Sequence, residues 1–218
     1  LGNIVNIGLF CGTFNPIHNA HLLLAQCACD QFQLKEIYFV TSPRPPHRQD
    51  ILVSAEVRHE MVLLAVAEND KFVPSAVELE REGPSFTIDT IEYFKEHLQN
   101  KTGSSVKINL LLGGDNVLQL PSWHKFEEII AQTKLLIAPR WADRLGNKQT
   151  PTDRPGDAAV LTPEEQAILG KTDHGFIEFP LIDISSTYIR QCLKEGKSGR
   201  YLVPESVWRL IVKDKIFQ

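Results

Sequence analysis

The sequence predicts an α/β fold, a mainly parallel sheet with helices on both faces. Three observations carry this. Short runs rich in Ile, Val, Leu and Phe alternate with longer segments of helical periodicity, the pattern of repeated strand–helix units. Several short runs lack period-two alternation, as expected of strands whose two faces are both buried in a parallel sheet. No stretch of 18 apolar residues breaks the alternation, so no segment reads as a membrane helix.

Taken in order, Ile4 to Phe10 reads as the first strand. Ala20 to Phe32 follows as a helix, with Leu22, Ala25, Cys29 and Phe32 at near-helical spacing. Ile37 to Thr41 is the second strand, and Ala55 to Glu68 the second helix, through Val57, Met61, Leu64 and Ala65. Phe72 to Val77 precedes a third helix, Thr87 to Leu98, marked by Ile88, Ile91, Phe94 and Leu98. Val106 to Leu112 and Leu135 to Ala138 are strands on either side of a short helix, Phe126 to Ala131. The helix Pro163 to Leu169, the strand Phe176 to Phe179 and the helices Thr187 to Lys194 and Pro204 to Val212 complete the set. Trp141 to Gly156 mixes Gly, Pro, Asp, Asn and Thr and reads as an exposed loop. No repeat or composition break divides the chain, so one domain over residues 1–218 is expected. Ligands of such sheets bind beyond the carboxyl ends of the strands.

Composition narrows the function classes. Lys and Arg total 23 against 27 Asp and Glu, a net charge of -4. Duplex affinity comes largely from neutralising phosphates with basic side chains, so no nucleic-acid partner is expected. A small anionic substrate on a local basic cluster stays allowed. Cys11, Cys27, Cys29 and Cys192 form neither C-x-x-C pairs nor a disulfide framework. Reduced thiols and the lack of a basic, apolar leader point to the cytoplasm, with no membrane partner.

The chemistry concentrates after the first strand, in Gly12-Thr13-Phe14-Asn15-Pro16-Ile17-His18-Asn19-Ala20-His21. Gly12 lets backbone approach a ligand, and Pro16 can preset a helix start. His18 and His21, three apart, share one face at that start. A helix N-terminus already offers free N–H groups and positive partial charge, and two imidazoles added to it make a site suited to a polyphosphate. The plain alternative is a turn followed by two surface histidines; the length of the string weighs against it. No metal site is assigned: the pair lacks Cys or carboxylate partners, and His59-Glu60 lacks a second His four residues on.

A second cluster is Ile184-Ser185-Ser186-Thr187-Tyr188-Ile189-Arg190. Its hydroxyls suit a helix start, and Arg190 lies one turn inside, in reach of a phosphate ahead of that end. Gly113 after the fourth strand permits close backbone approach, and Asp115 can accept from a ribose or amine or serve only as a cap. Gly170-Lys171-Thr172 and Gly196-Lys197-Ser198 end like a P-loop, yet Glu165 and Gln191 stand where its first Gly is required. No G-x-G-x-x-G follows the first strand, so hydride transfer is not expected.

The string Gly12 to His21 resembles the H-x-G-H signature of the nucleotidyltransferase superfamily. More closely it resembles the bacterial nicotinate mononucleotide adenylyltransferases, whose pattern is G-[ST]-F-[DN]-P-x-H-x-G-H. Ala20 stands where that family has Gly. Ile184 to Arg190 matches its I-S-S-T-x-I-R signature throughout. Pro43 to Arg48 resembles its P-P-H-[KR] loop, and Pro84 to Thr87 its P-S-[YF]-T element. Pro121-Ser122-Trp123-His124 resembles the stretch in which Trp stacks on the nicotinate ring, and Tyr201 to Pro204 the family's ending.

The resemblance implies a Rossmann-like fold of nucleotidyltransferase type. It implies transfer of AMP from ATP to nicotinate mononucleotide, giving nicotinate adenine dinucleotide and pyrophosphate in NAD biosynthesis. ATP is expected at Gly12, Thr13, Phe14, His18, His21, Gly113, Asp115, Ser186 and Arg190, with His18, His21 and Arg190 catalytic. The mononucleotide is expected at Arg48, Thr87, Trp123 and His124. Mg²⁺ is expected to accompany ATP, and a homo-oligomer is allowed. The rivals are nicotinamide mononucleotide or phosphopantetheine as acceptor, or a nucleotide-binding module without turnover.

Overall fold

The computed structural model describes residues 4–43, 53–138, 161–180 and 182–217. Arg48, nearly all of the Pro43–Arg48 loop and the Trp141–Gly156 stretch lie outside the described residues. Strands β1 (Ile4–Gly12), β2 (Glu36–Thr41), β3 (Phe72–Ser75), β4 (Ser105–Gly113), β5 (Thr133–Ala138) and β6 (His174–Phe176) form one sheet in the order β3-β2-β1-β4-β5-β6. The pairs β1–β4, β4–β5 and β5–β6 are parallel. Strand order reverses between β1 and β4, the doubly wound arrangement of Rossmann-like sheets. The helices are α1 (Asn19–Gln31), α2 (Ala55–Val66), α3 (Thr87–Thr102), α4 (Phe126–Gln132), α5 (Pro163–Leu169), α6 (Ser186–Lys194) and α7 (Glu205–Lys213). The predicted α/β class is the observed one.

Most element ends shift by one to a few residues from the sequence reading, and three differences go further. The last strand is His174–Phe176, not Phe176 to Phe179, because its partners Leu135 to Ile137 select that register. Gly175 and His174 are weak strand formers in isolation, yet the ring of Phe32 fills the space a side chain at Gly175 would need. Helix α3 runs on to Thr102, where Gly103 takes φ 66° and returns its N–H to Gln99, a left-handed stop that glycine adopts without strain. A 3₁₀ helix, Gly114–Ser122, for which the sequence reading gives no element, follows β4.

The chain packs as two compact units, each assembled from separate stretches. One takes Leu1–Phe10, Leu24–Ile37 and Phe86–Leu181. Its strand β4 buries five consecutive residues, Ile108 to Leu112, which explains the absence of alternation there. Its buried polar residue Asn109 donates to Asn6 Oδ1 at 2.7 Å and to the Ile7 carbonyl at 2.8 Å, so its amide is satisfied inside the core. The other unit takes Cys11–Leu23, Tyr38–Ser85 and Ile182–Gln218. Here α7 buries Val207, Leu210 and Ile211, each worth about 1.5–3 kcal/mol when fully covered. Ser206 on the same helix donates to the Leu64 carbonyl of α2 at 2.9 Å.

Candidate active site

The histidine string opens the second unit. Phe14 is buried with φ 46°, an uncommon backbone for a bulky residue that the surroundings must hold in place. Its ring lies over Gly12: a Cβ built there would stand 2.9 Å from Phe14 Cζ. The same ring meets His21 edge-on at 5.3 Å and Phe39 at 5.9 Å. The space freed by Gly12 is therefore filled by the chain's own aromatic ring, which braces His21. Pro16 is not the first helical residue, because α1 begins three residues later at Asn19. The His18 carbonyl closes the first turn instead, accepting from the N–H groups of His21 at 2.9 Å and Leu22 at 3.4 Å.

The two imidazoles stack, with centroids 3.6 Å apart and planes 24° from parallel. His21 Nδ1 accepts the His18 backbone N–H at 3.2 Å, so in its neutral form His21 carries its proton on Nε2. Burial pulls the His18 pKa down to about 4. Burial, and then the neighbouring His18, hold His21 well below the ordinary histidine value. Both rings are neutral near pH 7, so the turn presents N–H dipoles and a helix N-terminus rather than two fixed charges. His18 Nδ1 and both polar atoms of the Asn15 side chain are buried and have no partner among the described residues. Leaving such groups unmet costs about 1–3 kcal/mol apiece, which marks the turn as a place built for something other than stability.

Helix α6 brings its own predicted residues to this turn. Ser185, not Ser186, caps the helix and accepts from the Tyr188 N–H at 3.1 Å. Ser186 Oγ donates to the Pro16 carbonyl at 2.9 Å. Arg190, only 9% exposed, donates to the Asn15 carbonyl at 2.9 Å and to Thr187 Oγ1 at 3.3 Å. Gly12, Thr13, Phe14, His18, His21, Ser186 and Arg190 thus share one unit and one turn.

Two residues at this turn escaped the sequence reading. Asn19 donates its backbone N–H to the Leu202 carbonyl at 3.0 Å and its side chain to the Tyr201 carbonyl at 2.7 Å. Arg58 of α2 donates to the Thr13 carbonyl at 2.6 Å. A signal existed for Arg58: it sits with Met61, Val62 and Val66 on the buried stripe of its helix, where an apolar residue is the rule.

On the other unit, Thr87 opens α3 with Phe86 as its cap. Gly113 precedes the 3₁₀ helix and Trp123 ends it. A side chain at Gly113 would collide with the Asp115 carboxylate, so here too the glycine makes room for a neighbour of its own. The rings of Phe86 and His124 pack at 4.3 Å, which joins the segment of Thr87 to that of Trp123 and His124.

Residues 9–192 match the family described as cytidylyltransferase-like. A Caldicellulosiruptor bescii protein described as a probable nicotinate-nucleotide adenylyltransferase is 33% identical over 216 residues, 98% of this chain and 100% of that one. An Exiguobacterium sibiricum protein of the same description is 35% identical over 207 residues, 95% of this chain and 96% of that one. Among solved structures, Plasmodium falciparum nicotinic acid mononucleotide adenylyltransferase complexed with NaAD matches with a TM-score of 0.69 at 19% identity, covering 97% of both chains. That likeness speaks to the fold. With a family match spanning most of the length, near-full-length relatives and the histidine turn at the end of β1, the chain belongs to the cytidylyltransferase-like family of nucleotidyltransferases.

Proposed function

We propose that the protein is a nicotinate-nucleotide adenylyltransferase acting in NAD biosynthesis. It transfers AMP from Mg-ATP to nicotinate mononucleotide and releases pyrophosphate. The observation that carries this reading is the stacked His18–His21 pair at the start of α1, tied by Ser186 and Arg190 to one turn. The descriptions of the bacterial relatives support the acid over the amide as acceptor.

The mononucleotide's 5′-phosphate oxygen attacks the α-phosphorus of ATP. The bond from that phosphorus to the β-bridging oxygen breaks, and pyrophosphate leaves with the electron pair. The nucleophile is already an anion, so no general base and no covalent intermediate are needed. Catalysis is positioning and charge stabilisation. His18 and His21 donate N–H groups toward the triphosphate as charge builds. Arg190 and Ser186 hold the pyrophosphate side, and Gly12, Thr13 and Phe14 shape the turn. Gly113 and Asp115 serve the nucleoside, and Thr87, Trp123 and His124 take the pyridine ring. Arg48 adds a phosphate contact from outside the described residues. Mg²⁺ enters with ATP as part of the substrate. The reading takes residues 1–218 as one nucleotidyltransferase domain of the cytoplasm. Among the described residues no helix is long and apolar enough to cross a membrane.

Pyrophosphate release from Mg-ATP tests the reading. It is expected to be fastest with nicotinate mononucleotide. Release with nicotinamide mononucleotide or phosphopantetheine alone would replace the acceptor, and none with any of the three would reduce the protein to a binding module.

A further inference from the structure

Among the described residues, Arg58 is the largest side chain buried almost completely, at 1% exposure. It lies in the first turn of α2, just after the capping Ser54. Three features make this an expensive place for a cation. It is out of water, it stands at the positive end of a helix dipole, and among the described residues no carboxylate lies within ion-pair distance of it. Burial accordingly lowers its pKa, against a smaller opposing effect of Glu56. Side chains on that stripe need only be apolar to pack, so volume alone does not account for an arginine there.

What the guanidinium does instead is hold four backbone carbonyls. Nη1 donates to Thr13 at 2.6 Å and to Ser42 at 2.7 Å. Nη2 donates to Pro43 at 2.7 Å, and Nε to Val53 at 3.2 Å. Thr13 belongs to the turn between β1 and His18, and Ser42 and Pro43 follow β2. Val53 precedes α2. A planar fork with several fixed donors can bond all four at once; a lysine ammonium, a single point, cannot. The Ser42 N–H, in turn, donates to the Gly12 carbonyl at 2.9 Å, which fastens the same two segments a second time.

We infer that Arg58 is a positioning residue for ATP: it fixes the Gly12–Phe14 turn against the segment after β2, and through that turn sets where the triphosphate meets His18 and His21. This rests on the proposed adenylyl transfer. A Thr13 carbonyl held by a buried cation is also not free to face an anion. Arg58 holds the Gly12–Phe14 turn directly, and the Ser42 and Pro43 carbonyls it also holds lead in sequence toward Arg48, so Mg-ATP binding without acceptor is the discriminating readout.

The test uses Arg58→Lys and Arg58→Met in the full chain, with steady-state kinetics for both substrates, Mg-ATP titration calorimetry without acceptor, and melting curves. A positional error of about an ångström can cost on the order of 100-fold. Arg58→Met is expected to raise the KM for Mg-ATP about 10- to 100-fold, and Arg58→Lys about tenfold, with Mg-ATP affinity measured without acceptor falling in parallel. If Arg58→Met does not fold, Arg58→Lys decides. Loss of turnover that tracks the folded fraction, with both KM values and Mg-ATP affinity unchanged, would make Arg58 a structural residue only and overturn the inference. If wild-type protein binds Mg-ATP but adenylates no mononucleotide, the transfer reading falls while weaker Mg-ATP binding by Arg58→Lys still upholds the positioning role. If wild-type protein binds no Mg-ATP, both fall.

Discussion

His21 Nδ1 accepts the backbone N–H of His18 at 3.2 Å while the two rings stack at 3.6 Å. One contact fixes the tautomer and the other fixes the ring plane. A stacked pair cannot hold two protons cheaply, which fits the lowering of the His21 pKa by burial and then by the neighbouring His18; burial alone lowers that of His18. Ring orientation is thus set before any nucleotide arrives, the condition under which a hydrogen-bond donor stabilises developing charge at little reorganisation cost.

His21→Ala removes one such donor. Turnover is expected to fall about 100- to 1,000-fold, the usual cost of deleting a single preorganised donor, with only a modest change in the KM for Mg-ATP. Pyrophosphate release under saturating substrates measures it. Near-normal turnover in the variant would remove His21 from the chemistry.

Stability should depend on pH through the same histidine. The folded-state pKa of His18, about 4, lies below its ordinary 6.5. Above about pH 6.5 both folded and unfolded chains hold it neutral, and the stability it permits is fully present. As pH falls from there toward about 4, the unfolded chain takes up a proton that the folded chain refuses, so stability drops. His18 alone should cost about 2 kcal/mol between pH 6.5 and 5. His21 and His59 shift in the same direction and steepen the slope. Urea midpoints across that window check it, and His18→Gln should flatten the curve; an unchanged slope would mean that His18 is not held neutral.

Gly12→Ala tests the bracing of His21 by Phe14. The added methyl would stand 2.9–3.2 Å from three atoms of the Phe14 ring, closer than side-chain carbons pack, and that ring is enclosed by Phe39 and His21. Overpacking of this kind costs about 1–3 kcal/mol. The displaced ring should carry His21 with it, so turnover falls further than the loss of folded protein explains. Parallel melting curves and initial rates separate the two effects. A loss of stability with full turnover per folded molecule would show that Phe14 does not set the His21 ring.

Much of this was legible in the sequence because it is local. The ten residues from Gly12 to His21 carry their own turn, helix start and imidazole spacing, and Ser185 to Arg190 carries its own cap. The alternation of apolar runs with helical stripes gave the sheet and its helices. Pairing partners decided what remained. His174 and Gly175 become a strand only because Leu135 and Leu136 lie alongside, and Arg58 becomes intelligible only when the carbonyls of Thr13, Ser42, Pro43 and Val53 converge on it. No local pattern encodes those meetings. The Phe86–His124 contact was hidden in the same way, since the two rings are far apart in sequence.

Ala20 is where the chain departs from the glycine of the H-x-G-H pattern, and it occupies the second position of α1, between the two histidines. Ala20→Gly should act in opposite senses on stability and on binding. Glycine is less favourable than alanine in a helix by up to about 1 kcal/mol, so the urea midpoint should fall. If the nucleotide packs against the start of α1, as the glycine of the pattern implies, removing the methyl clears space for it. One methyl group in a tight site is worth about 1–3 kcal/mol, and partial relief should lower the KM for Mg-ATP about three- to tenfold. The imidazoles themselves are untouched, so kcat should stay close to that of the parent. A lower midpoint with an unchanged KM would mean that the nucleotide does not pack over this turn of α1, and that the alanine serves the helix alone.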